Sequence, residues 1–445
     1  MWMKSVLNSQ DTHVEHGVKI HSYRDRDYVD AQQATQWLGI RSATLYAYVS
    51  RGLIRSVSIS GQRQRLYLRE DLERLRTKAQ ARSGQSAIAA SALNLGQPII
   101  PTQITEITPE GPSYRGKLAI DLVKQEASFE QVTELLWTGM WHAQPFNWKS
   151  YPEPVVMQRL TDRLPEGAIQ HQMVEIFASV VMHLALGRGA IEKRLVSGSL
   201  LQAAREILLA LAGCMGLLGP KKRYVHARFG IGFAEVVLQA LGAPLSTENI
   251  RTMNAILVLM ADHELSPGTL SARVAASSGA SVHSCVAAAM SVSSGTEVAL
   301  IYNSIGQFVK NGTSVSALLT KAQELVESGQ RVPGFDHPLY PNGDPRARSL
   351  LALIKARGRL TGRASKLVAL SDFMAQRYAL YPRHECALVA LCDSMAIHES
   401  AAPALFALGR VAGWVAHVQE QRLSTILIRP RAKFTPAGIT GAPEL

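Results

Sequence analysis

The stretch RVPGFDHPLYPNGDPRAR, Arg331 to Arg348, determines how the rest of the chain is interpreted. Its prolines and glycines prevent a continuous helix, because proline lacks a backbone N–H and glycine is conformationally loose. Helical sequence resumes at once in SLLALIKA, so we expect a structured loop between two helices. An ordinary surface turn would have a similar composition, but loops on rigid scaffolds also carry much of a protein's function. One histidine, two aspartates and clustered arginines favour the functional interpretation.

The loop is similar to the active-site loop of the citrate synthase family, which reads Pro-Gly-Phe/Tyr-Gly-His and later Asp-Pro-Arg. The resemblance places His337 on the catalytic histidine and Arg346 on an arginine that binds a substrate carboxylate. Asp336 replaces the glycine before that histidine, and Pro338 replaces the arginine that often follows it. The resemblance also assigns coenzyme contacts to the start of the loop, at Val332, Pro333 and Gly334.

Three further motifs extend the resemblance to the groups that hold a 2-oxoacid. In LMADHELSPGTL, His263 falls on the histidine that hydrogen-bonds the oxoacid. In ALFALGRVAGWVAHVQEQ, Arg410 falls on a substrate arginine, and in LIRPRAKF, Arg429 falls on an arginine that reaches into the partner subunit's site. A planar guanidinium binds a carboxylate through two parallel hydrogen bonds, so three arginines suit a di- or tricarboxylate. The resemblance covers about Ile104 to Pro430, roughly three quarters of the chain.

Two catalytic positions depart from the family pattern. Where the family reads Gly-Pro-x-His-Gly-Gly-Ala, this chain has Val298 in place of the histidine. In the family that imidazole hydrogen-bonds the thioester carbonyl, and loss of one such donor costs about 10²–10³ in rate. The family's aspartate base aligns with Glu385 in the sequence RHEC. The extra methylene moves the carboxylate by roughly 1.5 Å, an error near 1 Å costs about 10²-fold, and the adjacent His384 can hold the carboxylate elsewhere.

The composition predicts a globular, mainly helical protein. The chain has 445 residues, 47% of them hydrophobic and only 6% aromatic, and its many alanines and leucines favour helices over sheets. The resemblance implies an all-α citrate synthase fold with a large helical domain and an inserted small helical domain of about residues 300–397. The N-terminus lacks the apolar segment of a signal peptide and no run of eighteen apolar residues occurs, so we expect a cytoplasmic protein without a membrane partner.

The cysteines match neither a disulfide framework nor the CxxC spacing of zinc sites. We therefore expect four buried thiols and no metal site. The residues concerned are Cys214, Cys285, Cys386 and Cys392.

Positive charge is concentrated near the N-terminus. Residues 21–82 contain twelve Arg or Lys against six Asp or Glu, which is half of the net charge of +12. Such an excess suggests a polyanionic partner, or anionic substrates held by arginine. The segment YVDAQQATQWLGIRSATLYAYV predicts two short helices around a glycine, with Asp30 as N-cap of the first and Ser42 as N-cap of a second that ends at Tyr48. A hairpin turning at Gly61 and a further helix follow.

Two helices, a basic hairpin and a third helix resemble the winged helix-turn-helix DNA-binding domain of the MerR type. The resemblance implies that the second helix enters the major groove and that the wing contacts phosphates. The implied DNA-binding residues are Arg41, Ser42, Thr44 and Tyr48 on the helix and Arg63 and Arg65 on the wing. The alternative is a small helical module that fixes the quaternary structure.

The expected organisation has four parts. They are a flexible tail over residues 1–20, the MerR-like domain over 21–82, a linker over 83–97 and the citrate synthase-like domain over 98–445. Because the family's active sites take an arginine from a second subunit, the resemblance implies an obligate homodimer. A dimer would also present two DNA-reading helices.

Two functions from different classes remain open. The first is a citrate synthase-type acyltransferase that condenses acetyl- or propionyl-CoA with a 2-oxoacid such as oxaloacetate, without a bound cofactor; Glu385 is its base and His337 polarises the ketone. The second is a DNA-binding regulator that has kept a pocket for oxaloacetate- or citrate-like carboxylates as a sensor and has lost turnover. The departures at Val298 and Glu385 favour the second function, and the preserved oxoacid residues favour the first.

Overall fold

The computed structural model describes residues 28–38, 40–50, 54, 56–58, 65–69, 71–72, 100–148, 154–165, 167, 169, 172–186, 197–228, 230–358, 360–424 and 426–430. Two compact units are present, Met1–Ile100 with Pro430–Leu445, and Pro101–Arg429. The predicted tail and linker, the turn at Gly61 and the wing residue Arg63 lie outside the described residues. The four-part organisation with its boundaries stays a prediction.

The first unit contains two short helices and a three-stranded antiparallel sheet in the order β1-β3-β2. Its elements are β1 Tyr28–Val29, α1 Ala31–Leu38, α2 Ser42–Ser50, β2 Ser56–Ser58 and β3 Arg65–Leu68. A small separate core lies between them, formed by Val29, Ala34, Leu45, Ile54, Tyr67 and Leu72. The helix pair and the two hairpin strands are therefore as the sequence pattern predicts.

The helix starts in this unit agree only in part with the predicted caps. Asp30 is confirmed as a cap, because its Oδ1 accepts a hydrogen bond from the Gln33 N–H at 2.7 Å. Ser42 is not the N-cap of α2: it is already the first helical residue, and the carbonyl of Arg41 accepts from the amides of Thr44 and Leu45. The helix also runs to Ser50 rather than to Tyr48.

The second unit is mainly helical and begins with a small antiparallel sheet in the order β4-β5-β6. The strands are β4 Thr105–Thr108, β5 Gly111–Tyr114 and β6 Lys117–Leu118. The first helices are α3 Ala119–Lys124, α4 Phe129–Thr138, α5 Pro154–Thr161, α6 Met173–Leu186, α7 Ser197–Cys214, α8 Phe233–Leu241, α9 Thr247–Met260 and α10 Pro267–Ser277. The remaining helices are α11 Val282–Ser293, α12 Thr296–Asn311, α13 Val315–Glu327, α14 Pro345–Ala356, α15 Gly362–Tyr378, α16 His384–Ser394 and α17 Ala401–Ser424.

Helix α17 runs through the middle of the second unit and is buried along most of its length. Gly413 lets α17 approach the end of α9 closely, because a Cβ there would clash with Asp262 Oδ1, and its N–H donates to the Ala261 carbonyl at 2.9 Å. Gly409 packs in the same way against Leu257 and Met260. This close approach sets Arg410 beside the segment that carries His263.

Two helices of the second unit are long and apolar enough to cross a membrane by length and composition. They are Leu200–Leu217 and Ala401–Ser424, and they are 83% and 89% buried inside the protein. Burial of this extent is typical of core helices. All four cysteines are buried free thiols, as predicted.

The loop predicted from its prolines and glycines connects α13 to α14. Its last residues differ from the prediction: Pro345 is the first residue of α14, because proline at the first helical position needs no N–H partner. Asp336 has a left-handed backbone with φ 64°, a conformation that glycine adopts readily and aspartate tolerates. The replacement of the family's glycine therefore keeps a glycine-like backbone at this point.

Candidate active site

Arg346 is fixed by a buried ion pair at the start of α14. Asp344 caps this helix by accepting from the Arg346 N–H at 3.0 Å. Its two carboxylate oxygens also accept from Nε at 3.0 Å and Nη2 at 2.9 Å of the same arginine. Burial alone would raise the pKa of Asp344, but Arg346 and His384 outweigh it and hold that pKa well below its ordinary value. The guanidinium also lies 5.6 Å from the ring centre of Tyr340.

His337 lies in the loop as a half-buried neutral imidazole. Its Nδ1 accepts a hydrogen bond from the Leu339 N–H at 3.2 Å, which leaves the proton on Nε2. Burial, followed by the positive charge of Arg346, lowers the pKa of His337 to about 4. At neutral pH the side chain is therefore a hydrogen-bond donor through Nε2–H rather than a cation.

His263 follows α9 and faces the same space. Its ring centre is 6.0 Å from that of His337, and its Nε2 shares a 3.0 Å hydrogen bond with the Tyr340 hydroxyl. Burial, then Arg346 and Arg410, lowers the pKa of His263 well below its ordinary value. Two neutral imidazoles thus lie side by side next to two guanidinium groups.

Arg410 contributes the second guanidinium from α17. It is buried, its Nε donates to the Met260 carbonyl at 2.8 Å, and its guanidinium lies 4.8 Å from the ring centre of Phe406. Among the described residues no acceptor bonds its two terminal nitrogens. The donors of Arg410 that remain are available for an anion.

Glu385 occupies the first turn of α16 and is held by two neighbours. Arg383 donates to it from Nε at 3.2 Å and from Nη2 at 2.8 Å. His384 Nδ1 is 3.2 Å from the Glu385 carboxylate and 3.4 Å from that of Asp344, outside hydrogen-bond geometry. Burial alone would raise the pKa of Glu385, but His384 and Arg383 outweigh it, and the pKa lies below its ordinary value. The carboxylate is therefore ionised at neutral pH. His384 lies beside it as predicted but forms no hydrogen bond with it, and Arg383 is the residue that holds it.

A cation is a poor fit to this site. His337, Asp344 and His384 each offer a ligand atom, and these atoms lie within 4.8 Å of one another. Both oxygens of Asp344 are already bonded by Arg346, and the charge of that arginine acts on both histidines. A site with this much fixed positive charge favours an anion.

The remaining predicted site residues differ in where they lie. Gly334 packs against α16, since its carbonyl accepts from the Arg383 N–H at 2.8 Å and a Cβ there would clash with the Cys386 sulfur. The coenzyme contacts assigned to this part of the loop stay a prediction. Arg429 is exposed beyond the end of α17 and forms no contact with the site among the described residues. In the first unit, Arg41, Ser42 and Arg65 are exposed, whereas Thr44 and Tyr48 are partly covered.

Three residues of the site were not among the predicted ones. Asp344 could have been found from its place before Pro345, because aspartate followed by proline is a common helix start. Arg383 could have been found because it lies two residues before Glu385. Tyr340 belongs to the loop motif, but its hydrogen bond with His263 joins positions 77 apart in sequence and leaves no local signal.

The comparisons with known proteins agree with this geometry. A family model described as "Citrate synthase, C-terminal domain" matches residues 94–431. The chain belongs to the citrate synthase family. "Citrate synthase 2" of Bacillus subtilis is 27% identical over 354 residues, which are 75% of this chain and 92% of that protein. "2-methylcitrate synthase" of Shewanella oneidensis is 24% identical over 352 residues, which are 74% and 89% of the two chains.

Solved structures confirm the fold. Citrate synthase from Thermoplasma acidophilum, in a ternary complex with carboxymethyl coenzyme A and oxaloacetate, matches with a TM-score of 0.63 and 21% identity over 79% of this chain and 98% of that one. Citrate synthase from Thermotoga maritima matches with a TM-score of 0.63 and 20% identity over 78% and 96%. The expected citrate synthase fold is thus confirmed for the second unit. The family match begins at residue 94 and does not include the helix pair of the first unit, so the MerR-type resemblance stays a prediction.

Proposed function

We propose that this protein is an acyltransferase that joins an acyl-CoA to a 2-oxoacid of the oxaloacetate class. The observation that carries the proposal is the pair of neutral imidazoles, His263 and His337, beside the buried guanidinium groups of Arg346 and Arg410. Neutral imidazole N–H groups suit a ketone oxygen, and guanidinium groups suit the carboxylates that flank it. Membership of the citrate synthase family supports the same class of reaction.

Each group has a defined role in this reaction. Glu385 takes a proton from the carbon next to the thioester carbonyl, the C–H electrons form the enol double bond, and the carbonyl electrons move onto oxygen. The enol carbon attacks the ketone carbon of the oxoacid, the thioester carbonyl re-forms, and the ketone electron pair moves onto its oxygen. Nε2–H of His337 polarises that oxygen and donates a proton to it, and the proton that Glu385 took up restores the neutral imidazole. Hydrolysis of the thioester then releases the thiol of coenzyme A.

The same proposal includes slow turnover. Arg383 holds the carboxylate of Glu385 through two hydrogen bonds, and His384 and Arg383 lower its pKa, which makes it a weaker base. The position of the family's enol-stabilising histidine is Val298, which has no hydrogen-bond donor in its side chain. Both features act on enolisation, whereas the groups for the oxoacid are intact.

A second candidate function is a DNA-binding regulator that senses carboxylates. The observation that favours it is the combination of an intact anion site with the helix pair and antiparallel strands of the first unit, which expose Arg41 and Arg65. A sensor requires binding but not proton abstraction, so the changes at positions 298 and 385 would cost it nothing. DNA binding by this unit is part of the proposal.

The surface of the second unit supports a homodimer. Helices α6, α10, α11 and α17 pack on one another, and large apolar side chains of these helices and of the segment that follows them are exposed. They are Met182, Leu186, Val274, Val292, Leu423 and Leu427. A second copy of this chain would cover them, and the exposed Arg429 would be free to reach the partner's site.

We also propose a cytoplasmic location.

One assay separates the two candidates. Purified protein is mixed with acetyl- or propionyl-CoA and a series of 2-oxoacids, and release of free thiol is followed, while calorimetry measures the binding of oxaloacetate and citrate. An enzyme releases thiol only when both substrates are present. Binding of citrate or oxaloacetate without thiol release, for every pair tested, would overturn the enzyme and favour the sensor. Absence of carboxylate binding would overturn both.

A further inference from the structure

Tyr302 on α12 is a buried polar side chain that the proposed condensation does not use. It is 6% exposed, and its hydroxyl has no hydrogen-bond partner among the described residues. Burying a hydroxyl without a partner is unfavourable, so most buried hydroxyls are bonded. An exception of this kind indicates that a partner arrives from elsewhere, such as a ligand.

Tyr302 also lines a cavity that adjoins the candidate active site. The cavity has a volume of about 140 Å³ and is lined by Tyr302, Val389, Phe406 and Ala407, among others. Phe406 forms a wall common to the cavity and the site, because its ring stacks on His384 at 5.7 Å and lies 4.8 Å from the guanidinium of Arg410. At about 30 Å³ per water molecule, this volume is enough for a short acyl group.

Tyr302 lies one helical turn after position 298, where the family has its enol-stabilising histidine. Residues 298 and 302 are both in α12, and residues four apart lie on the same helix face, one turn apart. Long side chains on a helix point toward its N-terminus and cover the preceding turn. The phenol of Tyr302 is therefore directed along the face to which Val298 belongs.

The electrostatic surroundings keep the hydroxyl protonated. Burial raises the pKa of Tyr302 well above its ordinary value, and the negative charge of Glu385 raises it further, while Arg410 acts in the opposite direction. A protonated phenol can donate a hydrogen bond. The charge of the proposed base, Glu385, therefore acts on this phenol.

We propose that the Tyr302 hydroxyl donates a hydrogen bond to the thioester carbonyl oxygen of the acyl-CoA and so replaces the imidazole that is absent at position 298. This role rests on the proposed condensation. When Glu385 removes the α-proton, the C–H pair becomes the enol double bond and the carbonyl pair moves onto the oxygen. The phenol O–H stabilises the negative charge on that oxygen and keeps its own proton.

The variant Tyr302→Phe tests this role because it removes only the hydroxyl. Since that hydroxyl has no described partner, the variant should fold with an unchanged thermal midpoint. We expect kcat for thiol release to fall by about 10²–10³ with an unchanged affinity for oxaloacetate. Tyr224→Phe is the matched control, because Tyr224 is also buried but belongs to the segment after α7, and it should leave kcat unchanged.

A binding measurement keeps the test decisive if turnover is slow. Carboxymethyl-CoA is a stable thioether that presents a negatively charged oxygen near the position of the thioester oxygen. With oxaloacetate present, calorimetry should give binding to the wild type and to Tyr224→Phe, and binding at least about tenfold weaker to Tyr302→Phe, the loss of one hydrogen bond to a charged group. Equal binding to all three proteins would overturn the role of Tyr302 alone. If the wild type does not bind the analogue, the proposed condensation fails, and the role of Tyr302 with it.

Discussion

At the scale of single residues, the two buried arginines differ in what holds them. Arg346 has a permanent carboxylate partner in Asp344, so its charge is already compensated. Arg410 contacts a backbone carbonyl and an aromatic ring, and the buried carboxylate of Asp262 acts on its charge without forming a described ion pair with it. Because Asp344 already occupies the fork of Arg346, whereas the terminal nitrogens of Arg410 have no described acceptor, an anionic ligand gains more from Arg410 than from Arg346.

Replacing Arg410 by Leu should therefore weaken the binding of oxaloacetate or citrate by at least about 1.5 kcal/mol, the scale of a hydrogen bond to a charged group. Calorimetry on the wild type and the variant measures the change. Arg410→Lys, which keeps the charge but loses the planar fork, should fall between them. A thermal melt followed by circular dichroism shows whether a loss of affinity results from unfolding of the variant. Unchanged affinity in a folded Arg410→Leu protein would remove Arg410 from the site.

The departures from the family pattern can be reversed one at a time. Val298→His with Glu385→Asp should raise thiol release above the wild type, and each single change should raise it less. Glu385→Asp shortens the side chain that Arg383 now holds, and a correction near 1 Å is worth up to about 10²-fold. Because Tyr302 is proposed to act on the same oxygen as a histidine at position 298, the gain from Val298→His should be the smaller one.

The rate of the unmodified protein decides whether catalysis is impaired. A wild-type rate in the ordinary range of about 1–10³ s⁻¹ would contradict the impairment. If the double variant binds citrate and still releases no thiol, the carboxylate sensor becomes the better description. The measurement is the initial rate of free-thiol formation under saturating substrates.

At the scale of helices and strands, the sequence predicts a helix start correctly where residues close in sequence determine it. Asp30 caps α1 as predicted. The start of α2 was misplaced by one residue, because a serine can occupy either the cap or the first turn. The sequence pattern places the beginning of α14 too late, because proline breaks a helix in its interior but is favoured at the first helical position, which Pro345 occupies.

The candidate site could be predicted only through whole motifs. The resemblance identified His263, His337, Arg410 and Glu385, which lie around one buried region. It did not predict that Arg383 holds Glu385, that Tyr340 bonds His263, or that the Tyr302 hydroxyl is unpaired. These facts depend on side-chain rotamers and on the packing of α12, α16 and the loop, which are tertiary features without a sequence period.

The basic hairpin of the first unit gives a prediction about DNA. If its arginines contact phosphates, each contact releases counterions, and the logarithm of the binding constant falls linearly with that of the salt concentration. Arg63→Ala with Arg65→Ala in the full chain should reduce this slope by roughly two. Fluorescence anisotropy of labelled duplex DNA across a salt series measures it. An unchanged slope would show that these two arginines face solvent and contact no phosphate.

At the scale of the whole molecule, the site contributes to stability in a pH-dependent way. Burial is the first cause that lowers the pKa of His263, His337 and His384 in the folded protein. In the unfolded chain these histidines titrate near pH 6.5. Asp344 behaves differently, because its folded pKa is lowered from an ordinary value near 3.8 and its contribution is lost only at still lower pH.

The three histidines should therefore lower the thermal midpoint as the pH decreases from about 6.5 toward 4, because the unfolded chain binds more protons at them than the folded protein does. The buried Glu130 offsets part of this loss, because burial raises its folded pKa to about 7 and the folded protein takes up that proton first. The lower limit follows from His337, whose folded pKa is lowered to about 4. Differential scanning fluorimetry at pH 7.5, 6.5, 5.5 and 4.5 measures the midpoints, and His337→Gln should show a smaller loss between pH 6.5 and 4.5 than the wild type because one titrating group is gone. An equal loss in the wild type and in His337→Gln between pH 6.5 and 4.5 would contradict the buried, neutral state of His337, and with it the use of His337 as an uncharged donor to the ketone.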